Sequence, residues 1–179
     1  MRHDAHPLPL RRLPQAIALA SSWSPEIMHD VYALAAQEMR ATGAHWALTP
    51  ILDIARDPRW GRVSEGSGED TYLGIQLAVA RVKGFQGADL GAVNTILACT
   101  KHFAAYGAAE AGRDYNTVDM SERVLRETYL PPFKATVDAG VRTFMTSFNE
   151  IAGVPATGSK FLLRDILKGE WKFNGFVVT

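Results

Sequence analysis

Side chains that could bind a polar ligand are concentrated in two short motifs. One motif reads Arg56-Asp57-Pro58-Arg59-Trp60-Gly61-Arg62 and is followed by Glu65, Glu69 and Asp70, and the other reads Lys101-His102-Phe103-Ala104-Ala105-Tyr106-Gly107. Cationic donors held at fixed angles can distinguish one pattern of hydroxyl groups from another, and charge-assisted hydrogen bonds are roughly twice as strong as neutral ones. The two motifs therefore predict a binding site for a polar ligand.

Ion pairing is the competing role for the same cations. The acidic residues available in the first motif and just after it are Asp57, Glu65, Glu69 and Asp70. Exposed pairs of this kind are common on loops and contribute little stability. We predict pairing for Arg56 and Arg59, and for Arg62, Lys101 and His102 pairing stands as the alternative to ligand binding.

Two further side chains near these motifs have more than one reading. Trp60 could stack on a ligand, but a Trp within an ion-rich loop more often packs as its anchor, and we favour that role. Asp114 could line a cleft or cap a turn, and both roles stay open.

Composition limits the class of ligand. The 179 residues contain 47% hydrophobic residues, enough for one sizeable core, and nineteen Lys and Arg balance nineteen Asp and Glu. No long basic run suggests a nucleic acid or an anionic membrane surface as partner, and no apolar run reaches the roughly 18 residues of a membrane span. A neutral small molecule or polymer fits best. His3 and His6 alone do not make a metal site, so no metal is predicted.

Helices are predicted between clear start and stop signals. The predicted helices run from Ser24 to Gly43, from Asp70 to Gly84 or Gly87, from Asp119 or Ser121 to Gly140, and from Ser159 to Gly169. The Pro131-Pro132 pair should kink or divide the third helix. In the second helix, Tyr72 and Val79 belong to the apolar face and Arg81 points the opposite way.

Four short apolar runs, residues 45–49, 95–100, 142–148 and 175–179, are predicted to be strands. Strands that alternate with helices are typical of parallel βα units, which occur both in open doubly wound sheets and in closed barrels. A complete (β/α)8 barrel needs roughly 250 residues, so four strands are about half of one. The predicted fold class is therefore α/β, a partial (β/α)8 TIM barrel. Its functional groups should lie at the C-terminal ends of the strands.

The two motifs and three later segments resemble glycoside hydrolase family 3, especially its bacterial periplasmic-type β-glucosidases. The later segments are Gly112-Arg113-Asp114-Tyr115-Asn116-Thr117-Val118-Asp119-Met120-Ser121, Met145-Thr146-Ser147-Phe148-Asn149 and Gly175-Phe176-Val177-Val178-Thr179. The resemblance covers residues 13–179, read as a fragment of the N-terminal barrel domain, whereas residues 1–12 are an atypical segment. It implies release of terminal non-reducing β-D-glucose by retaining double displacement, and β-xylosidase activity is also compatible. Full-length relatives are often periplasmic or secreted.

The resemblance also implies roles for single residues. Arg62, Lys101 and His102 match positions that hydrogen-bond the hydroxyls of the sugar in the innermost subsite. Met145 and Phe148 match positions that form the apolar wall of the same pocket. Family members often carry Tyr where Phe148 stands, so one hydroxyl contact is absent here. The expected substrate is a β-linked oligosaccharide or an aryl glucoside, with no cofactor.

No catalytic residue is assigned within the chain. Retaining glycosidases use two carboxyl groups about 5 to 5.5 Å apart, one as nucleophile and one as acid/base. The resemblance makes the acidic residues near 56–70 loop supports and places the nucleophilic Asp directly after the strand that matches Gly175–Thr179. It places the acid/base residue in a later domain or a distant loop. The chain alone is therefore expected to bind sugar weakly and to hydrolyse nothing.

Two alternative functions remain. A Schiff-base lyase barrel would use the amine of Lys101 as nucleophile and His102 to transfer protons. A non-catalytic sugar-binding remnant would keep the pocket without a nucleophile. Ala104 and Ala105 argue against the subgroup that cleaves N-acetylglucosamine residues, in which Pro and His follow the Phe of the second motif.

Overall fold

A computed structural model describes residues 12–179, and the candidate metal ligands His3 and His6, like most of the atypical segment 1–12, lie outside them. The central sheet has four parallel strands, β1 (Trp46–Ala47), β2 (Leu97–Phe103), β3 (Thr143–Thr146) and β6 (Phe176–Val178). A separate antiparallel hairpin, β4 (Glu150–Ile151) and β5 (Val154–Pro155), follows β3. The four parallel strands are neighbours in chain order, whereas a doubly wound sheet reverses its order at a switch point.

The sheet is strongly curved. Trp46 lies on β1 and Phe176 on β6, which are the two outer strands of the four. In a flat sheet three strand spacings would separate them by roughly 14 Å. Their ring centres are only 5.6 Å apart, and the indole N–H of Trp46 donates to Thr143 Oγ1 at 3.0 Å. This concave face is the interior of a partial (β/α)8 barrel, which confirms the predicted fold class.

Helices cover the outer face of the sheet. They are α1 (Ala16–Ala20), α2 (Pro25–Ala41), α3 (Thr71–Gln86), α4 (Glu122–Val124) with a π-helical continuation Leu125–Tyr129, α5 (Pro131–Asp138) and α6 (Phe161–Glu170), which is also π-helical. The predicted caps are confirmed, because the side chains of Ser24, Asp70, Ser121 and Ser159 each accept a backbone N–H in the first turn. The proline pair starts α5 and so divides the third predicted helix. No helix within residues 12–179 is long and apolar enough to cross a membrane.

An aromatic core fixes the strands to the helices. Phe103 of β2 contacts Phe144 of β3 at 5.4 Å and Phe133 of α5 at 5.3 Å between ring centres, and Phe144 contacts Phe173 at 4.8 Å. Burial of each ring contributes about 1.5–3 kcal/mol, and edge-to-face contact adds about 0.5–1.5 kcal/mol per pair. The ends of β2 and β3, which carry most of the predicted site residues, are therefore rigidly supported.

The predicted orientation of the second helix is wrong. Arg81 of α3 is fully buried, whereas Tyr72, assigned to the apolar face, is 71% exposed. The guanidinium donates to the carbonyl of Ile51 at 2.9 Å and lies 5.5 Å from the ring centre of Tyr32. Because α3 packs against both α2 and α5, its buried surface is wider than the single apolar stripe visible in the sequence.

Candidate functional site

The predicted site residues lie at the C-terminal ends of three neighbouring strands. Arg62 belongs to the long loop after β1, Lys101 and His102 are near the end of β2, and Phe148 follows β3. Gly107, in the loop after β2, allows the two loops to pack closely, since a Cβ there would overlap the carbonyl oxygen of Ile54. The loops therefore converge on one face of the sheet.

A buried carboxylate holds His102 in place. The imidazole is 1% exposed, and its Nδ1 lies 2.8 Å from Oδ2 of Asp53, whose side chain is fully buried. The same oxygen accepts the backbone N–H of His102 at 3.3 Å. A carboxylate in this position favours the tautomer with the proton on Nδ1 and leaves Nε2 as an acceptor. Within residues 12–179 Nε2 forms no hydrogen bond, so it can accept one from a ligand.

Arg62 is oriented by a two-point ion pair. Its Nε donates to Oε1 of Glu65 at 2.7 Å and its Nη2 donates to Oε2 at 2.9 Å. The guanidinium also lies 5.4 Å from the ring centre of Tyr106. The hydrogen bonds between the two residues raise the pKa of Arg62 and lower the pKa of Glu65. The ion pair that competed with ligand binding is thus present, and Nη1 is left outside it.

Asp114 ties the two loops together. Its Oδ1 accepts the indole N–H of Trp60 at 2.9 Å and the hydroxyl of Tyr106 at 2.5 Å. Trp60 is 2% exposed, so it anchors the loop as predicted. Burial, together with the bond to Asp114, raises the pKa of the Tyr106 hydroxyl, which stays a donor. Asp114 therefore stabilises the walls of the site by joining Trp60 to Tyr106.

Lys101 is the half-buried cation of the site. Burial, and after it the positive charge of Arg62, lowers the pKa of its ammonium group. Within residues 12–179 the ammonium group forms no ion pair or hydrogen bond. It is thus a donor that a ligand can use. The exposed Arg59 differs, because it pairs with Asp57 at 2.7 Å as predicted, whereas Arg56, predicted to pair as well, forms no ion pair among the described residues.

Aromatic rings line the approach to His102. The ring centre of Phe148 lies 5.1 Å from that of His102 and 5.4 Å from that of Tyr106. The ring of Tyr115 follows, 5.5 Å from Phe148. Exposure rises along this row, from 0% at Tyr106 and 1% at His102 to 49% at Phe148 and 63% at Tyr115. The row leads from a buried floor to an exposed rim.

The structure brings four of the five predicted residues into one cluster. Tyr106 contacts Arg62, His102 and Phe148, and Lys101 is close enough to Arg62 for their charges to interact. Met145 is half-buried on β3. Its neighbour Phe144 packs towards the helices, so Met145 points to the barrel interior. The ligand contacts of all five stay predictions.

Sequence reasoning missed three residues of this site: Asp53, Tyr106 and Tyr115. A signal for Asp53 was present, because it is the lone charge in the apolar run Ile51-Leu52-Asp53-Ile54-Ala55. A buried carboxylate needs a partner, so this pattern favours pairing with a distant cation or donor. No local pattern marks the two tyrosines, whose contacts depend on loop geometry.

Known proteins share this arrangement of sequence and fold. The model of the glycosyl hydrolase family 3 N terminal domain matches residues 9–179. A periplasmic beta-glucosidase of Salmonella typhimurium is 43% identical over 166 residues, 93% of this chain and 22% of the relative. A beta-xylosidase of Formosa agariphila is 43% identical over 170 residues, 93% of this chain and 24% of the relative. The chain thus spans under a quarter of the length of these relatives.

Solved structures agree with the sequence comparison. The beta-glucosidase from Listeria innocua in complex with glucose superposes with a TM-score of 0.89 at 46% identity, over 92% of this chain and 23% of that chain. A mutant of the same enzyme in complex with laminaribiose gives the same values, with a TM-score of 0.89. Both sequence motifs and all the site residues described above lie within the matched range 9–179. The chain therefore belongs to glycosyl hydrolase family 3, whose N-terminal domain it matches.

Proposed function

We propose that the protein containing this chain is a β-glucosidase that releases terminal non-reducing β-D-glucose by retaining double displacement. The observation that carries the proposal is the convergence of Arg62, Lys101 and His102 beside the exposed ring of Phe148. Related proteins support it, since the Salmonella relative is named a periplasmic beta-glucosidase and the Listeria structures include complexes with glucose and laminaribiose.

The chain's own residues would bind the glucose ring. Nη1 of Arg62 and Nζ of Lys101 donate to sugar hydroxyls, Nε2 of His102 accepts from one, and Phe148 and Met145 pack against the ring. Each hydrogen bond to a charged group contributes about 1.5–3 kcal/mol.

The nucleophile is proposed to be an Asp directly after Thr179. This proposal is supported by β6 (Phe176–Val178), which runs parallel to β3 and is paired with it. A residue after Thr179 would therefore lie at the same edge of the sheet as Phe148, where the strands end. The test is to trap the complete protein with a 2-deoxy-2-fluoro-β-glucoside and map the labelled peptide. A label on an Asp that follows Thr179 is expected. Turnover without such a label would contradict the assignment.

β-Xylosidase activity is the second candidate, because the Formosa relative matches at the same 43% identity as the Salmonella one. The two candidates are separated by comparing kcat/KM for aryl β-glucoside and aryl β-xyloside with one preparation of the complete protein. A preference for the glucoside is expected, since Arg62 and Lys101 could donate a hydrogen bond to the additional hydroxymethyl group. A preference for the xyloside would replace the β-glucosidase proposal with β-xylosidase. If neither substrate is hydrolysed, the non-catalytic sugar-binding alternative is the one that remains.

Lys101 is proposed to be a hydrogen-bond donor rather than a Schiff-base amine. Its lowered pKa would suit an amine nucleophile, but its half-buried position beside Arg62 equally suits a desolvated donor. Borohydride reduction in the presence of an aldehyde or ketone is expected to leave Lys101 unmodified. An adduct on Lys101 in the mass spectrum would support the lyase alternative.

The protein is also proposed to be periplasmic or secreted. The support is the Salmonella relative, whose name places it in the periplasm. Fractionation of the source cells tests this, and activity confined to the cytoplasmic fraction would contradict it.

A further inference from the structure

An asparagine stands directly before a glycine at the entry to β6. Asn174 is exposed, and its side-chain amide forms no hydrogen bond within residues 12–179. The next residue, Gly175, has no side chain to shield its backbone nitrogen from the amide carbon of Asn174. Asparagine is among the thermolabile residues. The pair therefore places a backbone nitrogen beside an unrestrained amide group, where the two can join in a cyclic imide.

Close packing requires glycine at position 175. A Cβ there would overlap the carbonyl oxygen of Arg142, just before β3, and the ring of Phe173. A backbone carbonyl cannot move aside as the end of a flexible side chain can. The fold therefore keeps, directly after Asn174, the residue type that leaves its amide group most open to attack.

The sheet does not hold the backbone nitrogen of Gly175. The N–H of Phe176 donates to the carbonyl of Arg142 at 3.3 Å, whereas the N–H of Gly175 donates to no group in the described part of the chain. Nζ of Lys168 donates to the carbonyl oxygen of Gly175 at 2.5 Å. Because a nearby positive charge stabilises a negative one, the ammonium group of Lys168 favours loss of the proton from this nitrogen.

The chain's other three asparagines lack this combination. The amide nitrogens of Asn116 and Asn149 donate to backbone carbonyls, at 3.5 and 3.2 Å respectively. Asn94 is exposed, but the β-branched Thr95 follows it, and the N–H of Thr95 donates to the carbonyl of Ala92 at 3.5 Å. Asn94 is therefore a reference site within the same chain.

We propose that Asn174 is a site of spontaneous hydrolytic deamidation. The backbone nitrogen of Gly175 loses its proton and attacks Cγ of Asn174. A bond forms between these two atoms, the bond from Cγ to Nδ2 breaks, and ammonia leaves with a proton. One water molecule then opens the cyclic imide. Opening at Cγ gives Asp, and opening at the backbone carbonyl carbon gives isoaspartate, in which the chain continues through the former side chain.

Isoaspartate lengthens the backbone by one methylene group immediately before β6. Pairing of Phe176 with Thr143 and the hydrogen bond from Lys168 to Gly175 fix the position of this strand. The longer backbone cannot keep both contacts, so β6 shifts relative to β3. Loss of activity through this shift rests on the proposed function, in which the nucleophile follows Thr179, whereas the deamidation itself does not.

Peptide mapping of the complete protein during incubation at mildly alkaline pH tests the site. Trypsin cleaves after Lys172, so the peptide that contains Asn174 begins at Phe173. Acid should accumulate at Asn174 about tenfold faster than at Asn94. The rate should rise with pH, because the attacking nitrogen is deprotonated, and a methyltransferase specific for isoaspartate should label the peptide. Acid that forms no faster at Asn174 than at Asn94 would overturn the proposal.

Two variants connect the modification to the position of β6. Asn174→Gln lengthens the side chain and so disfavours ring closure. It should carry no acid and keep its activity through an incubation in which the wild type loses activity in proportion to its isoaspartate. Asn174→Asp carries the other product with an ordinary backbone, and its kcat/KM before incubation should stay within about twofold of the wild-type value.

The remaining outcomes separate the site, its consequence and the proposed function. If acid accumulates at Asn174 while activity stays constant, β6 tolerates the longer backbone, and only the consequence fails. Equal loss of activity in Asn174→Gln would assign the inactivation to another part of the protein, and the consequence fails again. If freshly prepared protein hydrolyses no aryl β-glucoside, the proposed function fails, and the peptide map still decides whether Asn174 is deamidated.

Discussion

At the scale of single residues, the buried pair of Asp53 and His102 has the sharpest chemical consequence. Oδ2 of Asp53 accepts from both the ring and the backbone of His102, while Oδ1 is buried without a hydrogen-bond partner in residues 12–179. A carboxylate so placed orients the imidazole, much as a carboxylate bonded to the far ring nitrogen orients a metal-binding histidine. The pair therefore decides whether Nε2 accepts or donates.

Asp53→Asn is predicted to disturb this choice. Nitrogen-15 NMR of wild-type His102 should show a proton on Nδ1 and none on Nε2, whereas the variant should lose that preference. Affinity for methyl 1-thio-β-D-glucoside should fall about 10- to 100-fold, by analogy with metal-binding histidines that lose their orienting carboxylate. Asp57→Asn, which alters an acidic residue paired with the exposed Arg59, is the control and should change neither measurement. A wild-type ring protonated on Nε2 would contradict the prediction.

Glu65 is predicted to make sugar affinity sensitive to acid. The hydrogen bonds from Arg62 lower its pKa below the ordinary value of 4.5. The pair is therefore fully formed above the unfolded pKa, and its contribution is lost as the pH falls through the lower, folded value. Titrations with methyl 1-thio-β-D-glucoside between about pH 3 and 7 should show its affinity for the wild type falling in acid.

Two variants isolate that effect. Glu65→Gln should bind the sugar more weakly at neutral pH. It should also lack the loss of affinity in acid that protonation of Glu65 causes in the wild type. Glu69→Gln, a nearby exposed carboxylate, should keep the wild-type profile. An unchanged profile in Glu65→Gln would mean that the ion pair does not orient Arg62 for binding.

At the scale of elements, the close packing of α3 on α2 positions the loops of the site. Gly84 lies at the crossing of the two helices, where an added Cβ would be 2.6 Å from the carbonyl oxygen of His29 and 2.8 Å from Cβ of Tyr32. Backbone atoms of α2 cannot give way as a flexible side chain can. Helix propensity and packing therefore oppose each other at this position.

We predict that the steric cost of an added Cβ at Gly84 outweighs the higher helix propensity of Ala. Gly84→Ala should destabilise the domain by about 2 kcal/mol or more, although Ala is favoured over Gly by roughly 1 kcal/mol within helices. Unfolding in denaturant measures the change. Gly158→Ala is the control, because nothing lies within 4 Å of its Cβ position, and it should stay within about 0.5 kcal/mol. A stabilised Gly84→Ala would show that the two helices can separate at little cost.

Element boundaries were predictable only in part. The caps at Ser24 and Asp70 follow from local side-chain chemistry, so the helix starts were correct. The first strand, predicted over 45–49, is regular only at Trp46–Ala47, although the carbonyl groups of His45 and Thr49 also accept backbone N–H groups of β2. Strand length depends on hydrogen bonds to a neighbour more than forty residues away, which a local pattern cannot show. We have no physical account of the π-helical form of α6.

At the scale of the whole molecule, the concave face of the sheet is largely apolar and open. Trp46 is 37% exposed, Leu48 is 45% exposed and Phe176 is 51% exposed. In a complete barrel such side chains fill the interior in packed layers. The 179 residues by themselves therefore present apolar surface, and the outer strands β1 and β6 each have one unpaired edge within the described residues.

The chain expressed alone is predicted to self-associate for this reason. Light scattering should give a mass above that of the monomer, and Phe176→Ser should reduce the associated fraction. Phe161→Ser is the control, because Phe161 is 37% exposed but lies on α6, in the helical layer. A monomeric wild-type chain with one sharp thermal transition would contradict the prediction.

The sequence by itself determined what depends on neighbours in the chain. The helix caps, the alternation of strands and helices, the Arg59–Asp57 pair and the two sequence motifs all involve residues a few positions apart, where backbone geometry leaves few choices. Only the tertiary structure decided which distant groups meet. Asp53 pairs with His102 across 49 positions, Trp60 reaches Asp114 across 54, and Arg81 is buried against Tyr32 of α2 and the carbonyl of Ile51. These contacts depend on how loops and helices pack in three dimensions, and short-range patterns carry no record of that packing.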